Sequence, residues 1–305
     1  MPQVADPGFK VLRVAAISMK ADKWKVEENA DKMERLFRRA GRLGAKVAVI
    51  TEGALQGYVV MEAIKSPKRA EKMLAISEQP EGPHNLRFGQ LAKDLGMCIC
   101  LGLSERVGGD VYNAALFIDD QGRIRGRHYK MQFAEGNDPG WYFNRMGQHI
   151  RAFDTPYGRA GFLICNDRWD KTLARALVLD GARVIYILAY GDKSHKQDRV
   201  LVETARENGV PIVEANVGAN LIISKGEIVA RARGEDDITV ADIAVPLAQS
   251  EEAVRELERE FLTRRGPEMK RRYAKTMASL AGGRDPNFGS FAHEASARAP
   301  ADTKT

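Results

Sequence analysis

The chain has 305 residues, of which 44% are hydrophobic and 29% charged, and a formal net charge of +6. This composition is that of a globular protein with a substantial core and excludes a fibrous or low-complexity chain. The longest apolar runs are strand-sized, so no membrane partner is expected, and the N-terminus lacks the apolar segment of a secretory signal. Three cysteines do not make a disulfide framework, so we expect a cytoplasmic protein.

The basic balance of the chain raises the question of nucleic-acid binding. Its densest basic stretch, residues 255–275, also contains glutamates at 256, 258, 260 and 268. Mixed charges along a helical segment are typical of a solvated, salt-bridged face, and the sequence shows no basic stripe with interleaved aromatic residues. We therefore predict that nucleic acid is not a partner.

Short β-branched runs alternate with helix-like patterns along most of the chain. Strands are predicted at 11–18, 46–50, 97–104, 114–118, 159–165, 184–188, 211–215, 221–224 and 227–231, the last two joined by a hairpin turn at 225–226. Helices are predicted at 27–43, 84–94, 171–180 and 194–208. This alternation is typical of an α/β fold. No linker divides the two halves, so one α/β unit is expected from about residue 11 to 247.

The C-terminal part has a different pattern. Residues 254–280 are predicted to be helical, and we assign residues 1–280 to one domain. Residues 281–305 contain no Leu, Ile, Val or Met, and such a segment cannot bury enough apolar surface to fold alone. The 281–305 tail is therefore predicted to be disordered or to pack on a partner subunit.

Cys165 follows an apolar strand and precedes the polar run Asn166 to Asp170, which leads into the next helix. Either Asp167 or Asp170 could cap that helix. A cysteine at such a turn lies near backbone N–H groups and the positive end of a helix dipole, which both favour the nucleophilic thiolate. The geometry is similar to the nucleophile elbow of serine hydrolases. The alternative is a buried structural cysteine, a frequent fate of free thiols.

Two other strand ends carry groups that can activate a thiol. Glu52 comes where the apolar run 46–50 ends, and Gly53 allows the chain to turn away there. Lys130 comes soon after the strand and turn of residues 114–123. Strand ends that face a common edge are where α/β sheets assemble their sites. Taken singly, each side chain could equally be solvated.

Together these segments resemble the nitrilase superfamily of carbon–nitrogen hydrolases, whose triad is Glu, Lys and Cys in this chain order. The spacing here, 78 residues from Glu52 to Lys130 and 35 from Lys130 to Cys165, is similar to that of the family. The resemblance extends from residue 11 to about 273. Further segments that support it, in order, are 111–115, 153–158, 179–182, 207–211 and 215–216.

The resemblance implies an α-β-β-α sandwich, in which two packed sheets lie between outer layers of helices. It also implies a homodimer or larger homo-oligomer, with the C-terminal segment crossing to the partner. Family members often have a second glutamate that supports the catalytic lysine. Glu135 is the candidate for this role, although Asp138 lies nearer the usual position.

The resemblance also implies a mechanism through a thioester. Glu52 takes the proton of Cys165 and later activates water. Lys130 and the backbone N–H of Asn166 stabilise the oxyanion that forms when the thiolate attacks. The predicted activity is hydrolysis of an amide or N-carbamoyl group of a small molecule.

The run from Cys165 to Arg168 is similar to that of the N-carbamoyl-D-amino-acid amidohydrolase branch, in which this arginine receives the substrate carboxylate. Trp169 stands where that branch has a second arginine, and the segment around Glu52 also differs. Arg168 could instead pair with a neighbouring carboxylate such as Asp170. Amides, ureido compounds and nitriles therefore stay open as substrates. The predicted substrate-binding residues are Asn166, Arg168, Trp169, Tyr58 and Tyr190.

No metal and no nucleotide cofactor is predicted. Cys98 and Cys100 lie on one face of a strand without a second ligand pair, so we interpret them as core residues. No glycine-rich phosphate loop follows a strand. Two other functions stay open: a non-catalytic family member that serves as a binding or scaffold subunit, against which the intact triad argues, and a Cys–His acyl transferase that uses His128.

Overall fold

The computed structural model describes residues 8–134, 136, 142–191 and 193–247, and scattered residues between 255 and 274. The chain forms two compact units, Met1–Ala248 and Gln249–Thr305. In the second unit the described residues are helical, as predicted for 254–280. Glu135, Asp138, residue 280 and the 281–305 tail lie outside the described residues, so the predictions that concern them stay predictions.

The first of two sheets is built around three parallel strands. Among the described residues it consists of β1 (Phe9–Ser18), β2 (Val47–Ile50), β3 (Cys98–Val107), β4 (Asp110–Ile118), β5 (Ile124–Tyr129) and β12 (Asp237–Pro246). Their order is β12-β1-β2-β3-β4-β5. Strands β1, β2 and β3 are parallel, and β4, β5 and β12 join them as antiparallel neighbours.

The second sheet repeats this design. In the described part of the chain it consists of β6 (Phe153–Thr155), β7 (Gly158–Ile164), β8 (Val184–Ala189), β9 (Ile212–Asn216), β10 (Ala219–Ser224) and β11 (Glu227–Ala232), in the order β11-β10-β9-β8-β7-β6. Strands β7, β8 and β9 are parallel. The hairpin predicted at 225–226 joins β10 to β11 and is confirmed.

In the described part of the first unit the α-helices are α1 (Val26–Arg42), α2 (Val60–Ala63), α3 (Pro67–Ile76), α4 (Pro83–Leu95), α5 (Lys171–Leu179) and α6 (His195–Asn208). Helices α1, α4, α5 and α6 cover the outer faces of the two sheets, whereas α2 and α3 belong to a separate small apolar cluster. Asp170 caps the N-terminus of helix α5, where its side chain accepts a hydrogen bond from the Thr172 amide. Of the two caps considered, Asp170 is therefore the one used. Helix α6 ends at Gly209 in the left-handed conformation, a frequent way to stop a helix.

Three apolar cores hold the sheets and helices α1, α4, α5 and α6 together. Side chains of α1 and α4, such as Phe37 and Phe88, pack on one face of the first sheet. Side chains of α5 and α6, such as Leu177 and Leu201, pack on the second sheet. The inner faces of both sheets meet in a third core, named here the inter-sheet core, to which Cys98 and Cys100 belong. The predicted α-β-β-α sandwich is confirmed.

Several elements of the first unit were not predicted. Strand β12 pairs with β1, which lies more than 200 residues earlier, and a single stretch of sequence does not indicate such a partner. Strand β5 exposes Ile124, Arg125 and Arg127 to solvent. An edge strand with this polar pattern resembles a loop when only hydrophobicity is considered.

Candidate active site

Glu52 lies in the turn that follows β2, and its side chain is fully buried. Gly53 has a φ of +58°, which lets the chain reverse at once. Gly102 of β3 runs directly against this turn, so a Cβ at position 102 would overlap the Thr51 carbonyl oxygen. The Glu52 carboxylate is thus placed deep in the protein by a buried strand and by two glycines, Gly53 and Gly102, each of which allows another part of the backbone to pass close by.

Lys130 comes directly after β5, in the same sheet as β2, and its side chain contacts Glu52. Its Nζ donates a hydrogen bond of 2.7 Å to Glu52 Oε1, and both side chains are 0% exposed. Asn113 of β4 supports both partners. Its Nδ2 donates to the same Glu52 oxygen at 2.8 Å, and its carbonyl oxygen accepts the Lys130 amide at 2.9 Å.

The second oxygen of Glu52 is available for chemistry. Oε2 is buried, and it has no hydrogen-bond partner within the part of the chain that the structure describes. A buried carboxylate oxygen without a partner is costly unless it has a role. Because Oε1 is held by Lys130 and Asn113, the group is fixed in place while Oε2 can accept a proton.

Cys165 opens a 3₁₀ turn, Cys165–Trp169, that follows β7. Its φ of +47° lies in the left-handed region, which is uncommon for a residue with a side chain and is often found at functional sites. The thiol is buried and belongs to the inter-sheet core. Its Sγ lies 4.0 Å from the carbonyl oxygen of Tyr190, which follows β8.

The protonation of Cys165 differs from the sequence-based prediction. Burial and the nearby Glu52 carboxylate raise the pKa of the Cys165 thiol to about 12, against the opposing effects of the Arg168 and Lys130 charges. The predicted preference for the thiolate is therefore wrong for this site, since desolvation outweighs the turn and the cations. Glu52, Lys130 and Arg168 are therefore all close enough for their charges to act on the thiol.

Two tyrosines predicted to bind substrate lie beside these groups. The rings of Tyr58 and Tyr190 are stacked, with centroids 4.5 Å apart and planes 11° apart. The Lys130 ammonium lies 5.9 Å from the Tyr58 ring centroid, and the Tyr190 carbonyl faces the Cys165 thiol. The pair therefore forms an aromatic wall next to the two charged groups and the cysteine.

Arg168 lies in an environment that was not foreseen. Its side chain is 1% exposed, and Nη1 donates a 2.8 Å hydrogen bond to Glu214 Oε1 of β9. The suggested partner Asp170 is wrong, because that carboxylate accepts hydrogen bonds from Thr172 at the start of α5. Trp169 stacks loosely between cations, with the Arg168 guanidinium carbon 5.8 Å from its ring centroid.

Asp167 connects the two sheets at the site. Its Oδ1 accepts the amides of Met131 and Gln132, directly after Lys130, at 3.1 and 2.8 Å. Its Oδ2 accepts the Ile164 amide at 3.0 Å and contacts His128 Nε2 at 2.9 Å. One buried carboxylate thus ties the lysine segment of the first sheet to the cysteine turn of the second.

These contacts account for His128 and for the residues that the sequence did not single out. His128 Nε2 contacts Asp167, and the charged groups that act on the Cys165 thiol are Glu52, Arg168 and Lys130. The roles of Asn113, Asp167 and Glu214 were not predicted. A carboxylate in the middle of the apolar run 211–215 is the one signal that could have drawn attention to Glu214, since buried carboxylates are paired.

Two further findings concern the described residues alone. None of their helices combines the length and the apolar character that a membrane span requires. Their His, Cys, Asp and Glu side chains form no group of three placed to hold a metal ion.

Comparisons with known proteins identify relatives of this chain. N-carbamoylputrescine amidase of rice (Oryza sativa subsp. japonica) is 32% identical over 200 residues, covering 64% of this chain. The match spans 63% of the rice protein, slightly less than two thirds of its length. N-carbamoylputrescine amidase of tomato (Solanum lycopersicum) is 32% identical over 226 residues, covering 70% of this chain and 71% of the tomato protein.

A solved structure and a family match complete the comparison. The amidase from Nesterenkonia sp. aligns with a TM-score of 0.65 over 82% of this chain and 96% of that chain. At 21% identity this likeness shows the fold alone. The sequence matches the carbon-nitrogen hydrolase family over residues 13–254. The resemblance to the nitrilase superfamily is confirmed, and the chain belongs to the carbon-nitrogen hydrolase family.

Proposed function

We propose that the protein hydrolyses the terminal amide or carbamoyl group of a small molecule through a covalent intermediate on Cys165. The observation that carries the proposal is the Glu52 carboxylate, which is held on one oxygen by Lys130 and Asn113 and has its other oxygen without a partner among the described residues. This arrangement suits a general base that must take a proton from a buried thiol.

The first half of the reaction forms the intermediate. With a thiol pKa of about 12, Cys165 is almost fully protonated at neutral pH, so a base has to remove its proton as it attacks. Glu52 accepts that proton and Cys165 Sγ bonds to the carbonyl carbon. The developing oxyanion is stabilised by the Lys130 ammonium and the Asn166 backbone N–H. Glu52 then returns the proton to the departing nitrogen, and the C–N bond breaks.

The second half releases the product. Glu52 takes a proton from water, the resulting hydroxide attacks the thioester carbon, and the C–S bond breaks to regenerate the thiol. A primary amide yields a carboxylic acid and ammonia. A carbamoyl amine yields the free amine in the first half and carbamic acid in the second, which decomposes to carbon dioxide and ammonia.

We expect a substrate without a carboxylate close to the amide or carbamoyl group that is cleaved. The relatives reported above act, by name, on N-carbamoylputrescine, the carbamoyl derivative of a diamine. In this chain Arg168, the residue expected to receive a carboxylate, is already paired with Glu214. The wall formed by Tyr58 and Tyr190 supports binding of an aliphatic or cationic chain, since aromatic faces attract both.

Activity is tested with a matched panel of N-carbamoylputrescine, an N-carbamoyl amino acid, a neutral primary amide and a nitrile, with ammonia release as the readout. We expect faster turnover of N-carbamoylputrescine and the neutral amide than of the N-carbamoyl amino acid. Cys165→Ala should abolish turnover with little change in melting temperature, while Cys98→Ala serves as the matched cysteine control and should stay active. A Cys165→Ala variant that kept its turnover would refute the proposed nucleophile.

The intermediate is tested by intact mass. With a slow substrate, the wild-type protein should gain the mass of the acyl group, and peptide mapping should place it on Cys165. An adduct on Cys98 or Cys100 would contradict the assignment. The cytoplasmic location and the homodimer or larger homo-oligomer stay predictions; sedimentation of the full chain against a variant that ends at residue 280 tests whether the tail holds subunits together.

A further inference from the structure

The ion pair between Arg168 and Glu214 lies on the helix side of the second sheet. Along β9, Val213 belongs to the inter-sheet core, whereas its neighbour Ile212 packs under α5 and α6. Because side chains alternate along a strand, Glu214 shares the helix-facing side with Ile212. Gln197 of α6 meets it there, donating a 2.6 Å hydrogen bond to Glu214 Oε2.

Cys165 lies on the opposite side. The thiol belongs to the inter-sheet core, so the 3₁₀ turn presents its first residue to one side of the sheet and Arg168 to the other. Both Glu214 oxygens are engaged, one by Arg168 and one by Gln197. Arg168 Nε has no hydrogen-bond partner among the described residues, but a substrate carboxylate that reached it would bring a second buried negative charge next to Glu214, which is unfavourable.

We infer that Arg168 is a positioning residue and does not bind a substrate carboxylate. Through its ion pair with Glu214 it holds the Cys165 turn against β9. The charges of this pair also influence the reactivity of the Cys165 thiol. The inference rests on the proposed function only in taking Cys165 as the nucleophile. It accounts for an arginine that is conspicuous in sequence, close to the thiol in the chain, and yet turned away from the core that contains the thiol.

Charged and titratable groups surround Cys165 from four elements. Glu52 faces it from the turn after β2, Lys130 from the end of β5, Arg168 from its own turn, and Tyr190 through its carbonyl after β8. Asp167 of the same turn is engaged by backbone amides and by His128. Of the two cations that lower the thiol pKa, Arg168 has the larger effect.

Arg168 itself is faced by groups from two further elements. Glu214 and Gln197 bind it from β9 and α6, directly and through the shared carboxylate. Lys196 of α6 lies 5.7 Å from the Trp169 ring centroid, and its side chain is exposed. Lys196 therefore offers a matched cation that is close in sequence and space but outside the buried pair.

Opposite single changes at the pair should have opposite effects on the thiol. Glu214→Gln leaves an uncompensated guanidinium near Cys165, whereas Arg168→Gln leaves an uncompensated carboxylate. The pH dependence of iodoacetamide alkylation at Cys165, followed by peptide mass, should shift downward by about one pH unit in the first variant and upward by about one unit in the second. The double variant should return close to wild type, and Lys196→Gln should change nothing.

Kinetics on two substrates separates positioning from substrate recognition. Arg168→Gln should lower kcat by a similar factor, about tenfold, on an N-carbamoyl amino acid and on a neutral amide of equal size, because one pH unit of thiol reactivity corresponds to a factor of ten. Arg168→Lys should restore part of the activity, since it keeps the charge but not the planar contact. The double variant gives the same comparison if either single variant fails to fold.

The inference is overturned if Arg168→Gln raises KM for the acidic substrate alone and leaves the alkylation profile in place, since that is the behaviour of a carboxylate receptor. It is also overturned if Glu214→Gln and Arg168→Gln shift the profile in the same direction. Failure of the proposed function is recognised separately, because Cys165→Ala would then keep its turnover whatever the state of the pair.

Discussion

Two buried ion pairs flank the cysteine, one in each half of the sandwich, and they differ in how many oxygens of the carboxylate are engaged. In the first half, Lys130 and Asn113 share Glu52 Oε1 and leave Oε2 without a partner within the described residues. In the second half, Glu214 has both oxygens engaged. Both carboxylates are about 1% exposed or less, so burial alone does not distinguish a reactive group from a structural one.

The difference teaches how to recognise a base among buried carboxylates. A carboxylate whose oxygens are all used stabilises the fold around it, whereas one that is fixed on a single oxygen keeps an acceptor for a proton. Both halves need a cation, because an unpaired buried carboxylate would be protonated or would destabilise the protein. The engaged oxygens distinguish these two carboxylates only together with their position beside the thiol. Buried Glu105 is also held on one oxygen and has the other without a partner among the described residues, yet it is not among the charged groups that act on Cys165. Mutation of the two pairs can test the distinction.

The largest contrast is expected between Glu52→Gln and Glu214→Gln, which remove the same charge from the two pairs. Glu52→Gln removes the base, so kcat should fall by about 10²–10⁴-fold. Glu214→Gln should lower kcat far less, because the base and the oxyanion groups remain. Steady-state ammonia release measures both, with melting temperatures as a check on folding. Equal losses of kcat in the two variants would contradict the distinction between a carboxylate with one oxygen engaged and a carboxylate with both engaged.

Lys130 should affect both activity and stability. Lys130→Met removes a charge from the oxyanion site, which should lower kcat by about 10²–10³-fold. It also leaves Glu52 buried without its cation, so the free energy of unfolding should fall by about 3–5 kcal/mol. Urea unfolding and ammonia release measure the two effects. Near-normal kcat in a folded Lys130→Met protein would show that the lysine is only structural.

The fold and the site were predictable to different extents. Strands β1 to β4 and helices α1 and α4 follow from hydrophobic periodicity, because their partners are close in sequence. Strand β12 does not, since its pairing with β1 depends on a contact across almost the whole domain. The four-layer arrangement came from the resemblance to the family, because periodicity alone indicated only an α/β fold.

The site shows the same limit. Glu52, Lys130 and Cys165 were chosen on chain order and spacing, which the resemblance made specific. Arg168 was predicted to bind substrate, and the alternative was a neighbouring carboxylate such as Asp170, because only neighbours are visible in a sequence. In the structure it pairs with Glu214, 46 residues away. The thiol pKa was also misjudged, since helix dipoles and cations are readable from sequence but the degree of desolvation is not.

Asp167 provides a smaller test of how the two halves are joined. Asp167→Asn keeps the shape of the side chain but removes the charge that binds three amides and His128, so charge-assisted bonds worth about 1.5–3 kcal/mol should be weakened. We expect a comparable loss of stability and a fall in kcat, since Lys130 and Cys165 lose their common anchor. His128→Gln is the control and should cost less than Asp167→Asn. A larger loss of stability in His128→Gln than in Asp167→Asn would mean that the histidine contributes more than the carboxylate to holding the two sheets together.

The smallest effect concerns another buried carboxylate, Glu78, whose histidine partner can titrate. His84 Nδ1 lies 2.7 Å from Glu78 Oε2, and Nε2 lies 3.1 Å from Glu27 Oε1 of α1. The hydrogen bond with Glu78 raises the pKa of His84 above its usual value near 6.5, against the effect of burial. A raised pKa means that the protonated ring stabilises the folded state, fully at pH values below that of the unfolded histidine.

This contribution is lost as the pH rises through the higher pKa of the folded state. The difference in unfolding free energy between wild type and His84→Gln should therefore be larger at pH 5.5 than at pH 8.5, by about 1 kcal/mol or less because Glu27 is exposed. The corresponding difference for Lys196→Gln should stay constant over this range, since this exposed lysine keeps its charge at both pH values. A His84→Gln difference that grew with pH would reverse the sign and show that the neutral ring is the form that the fold prefers.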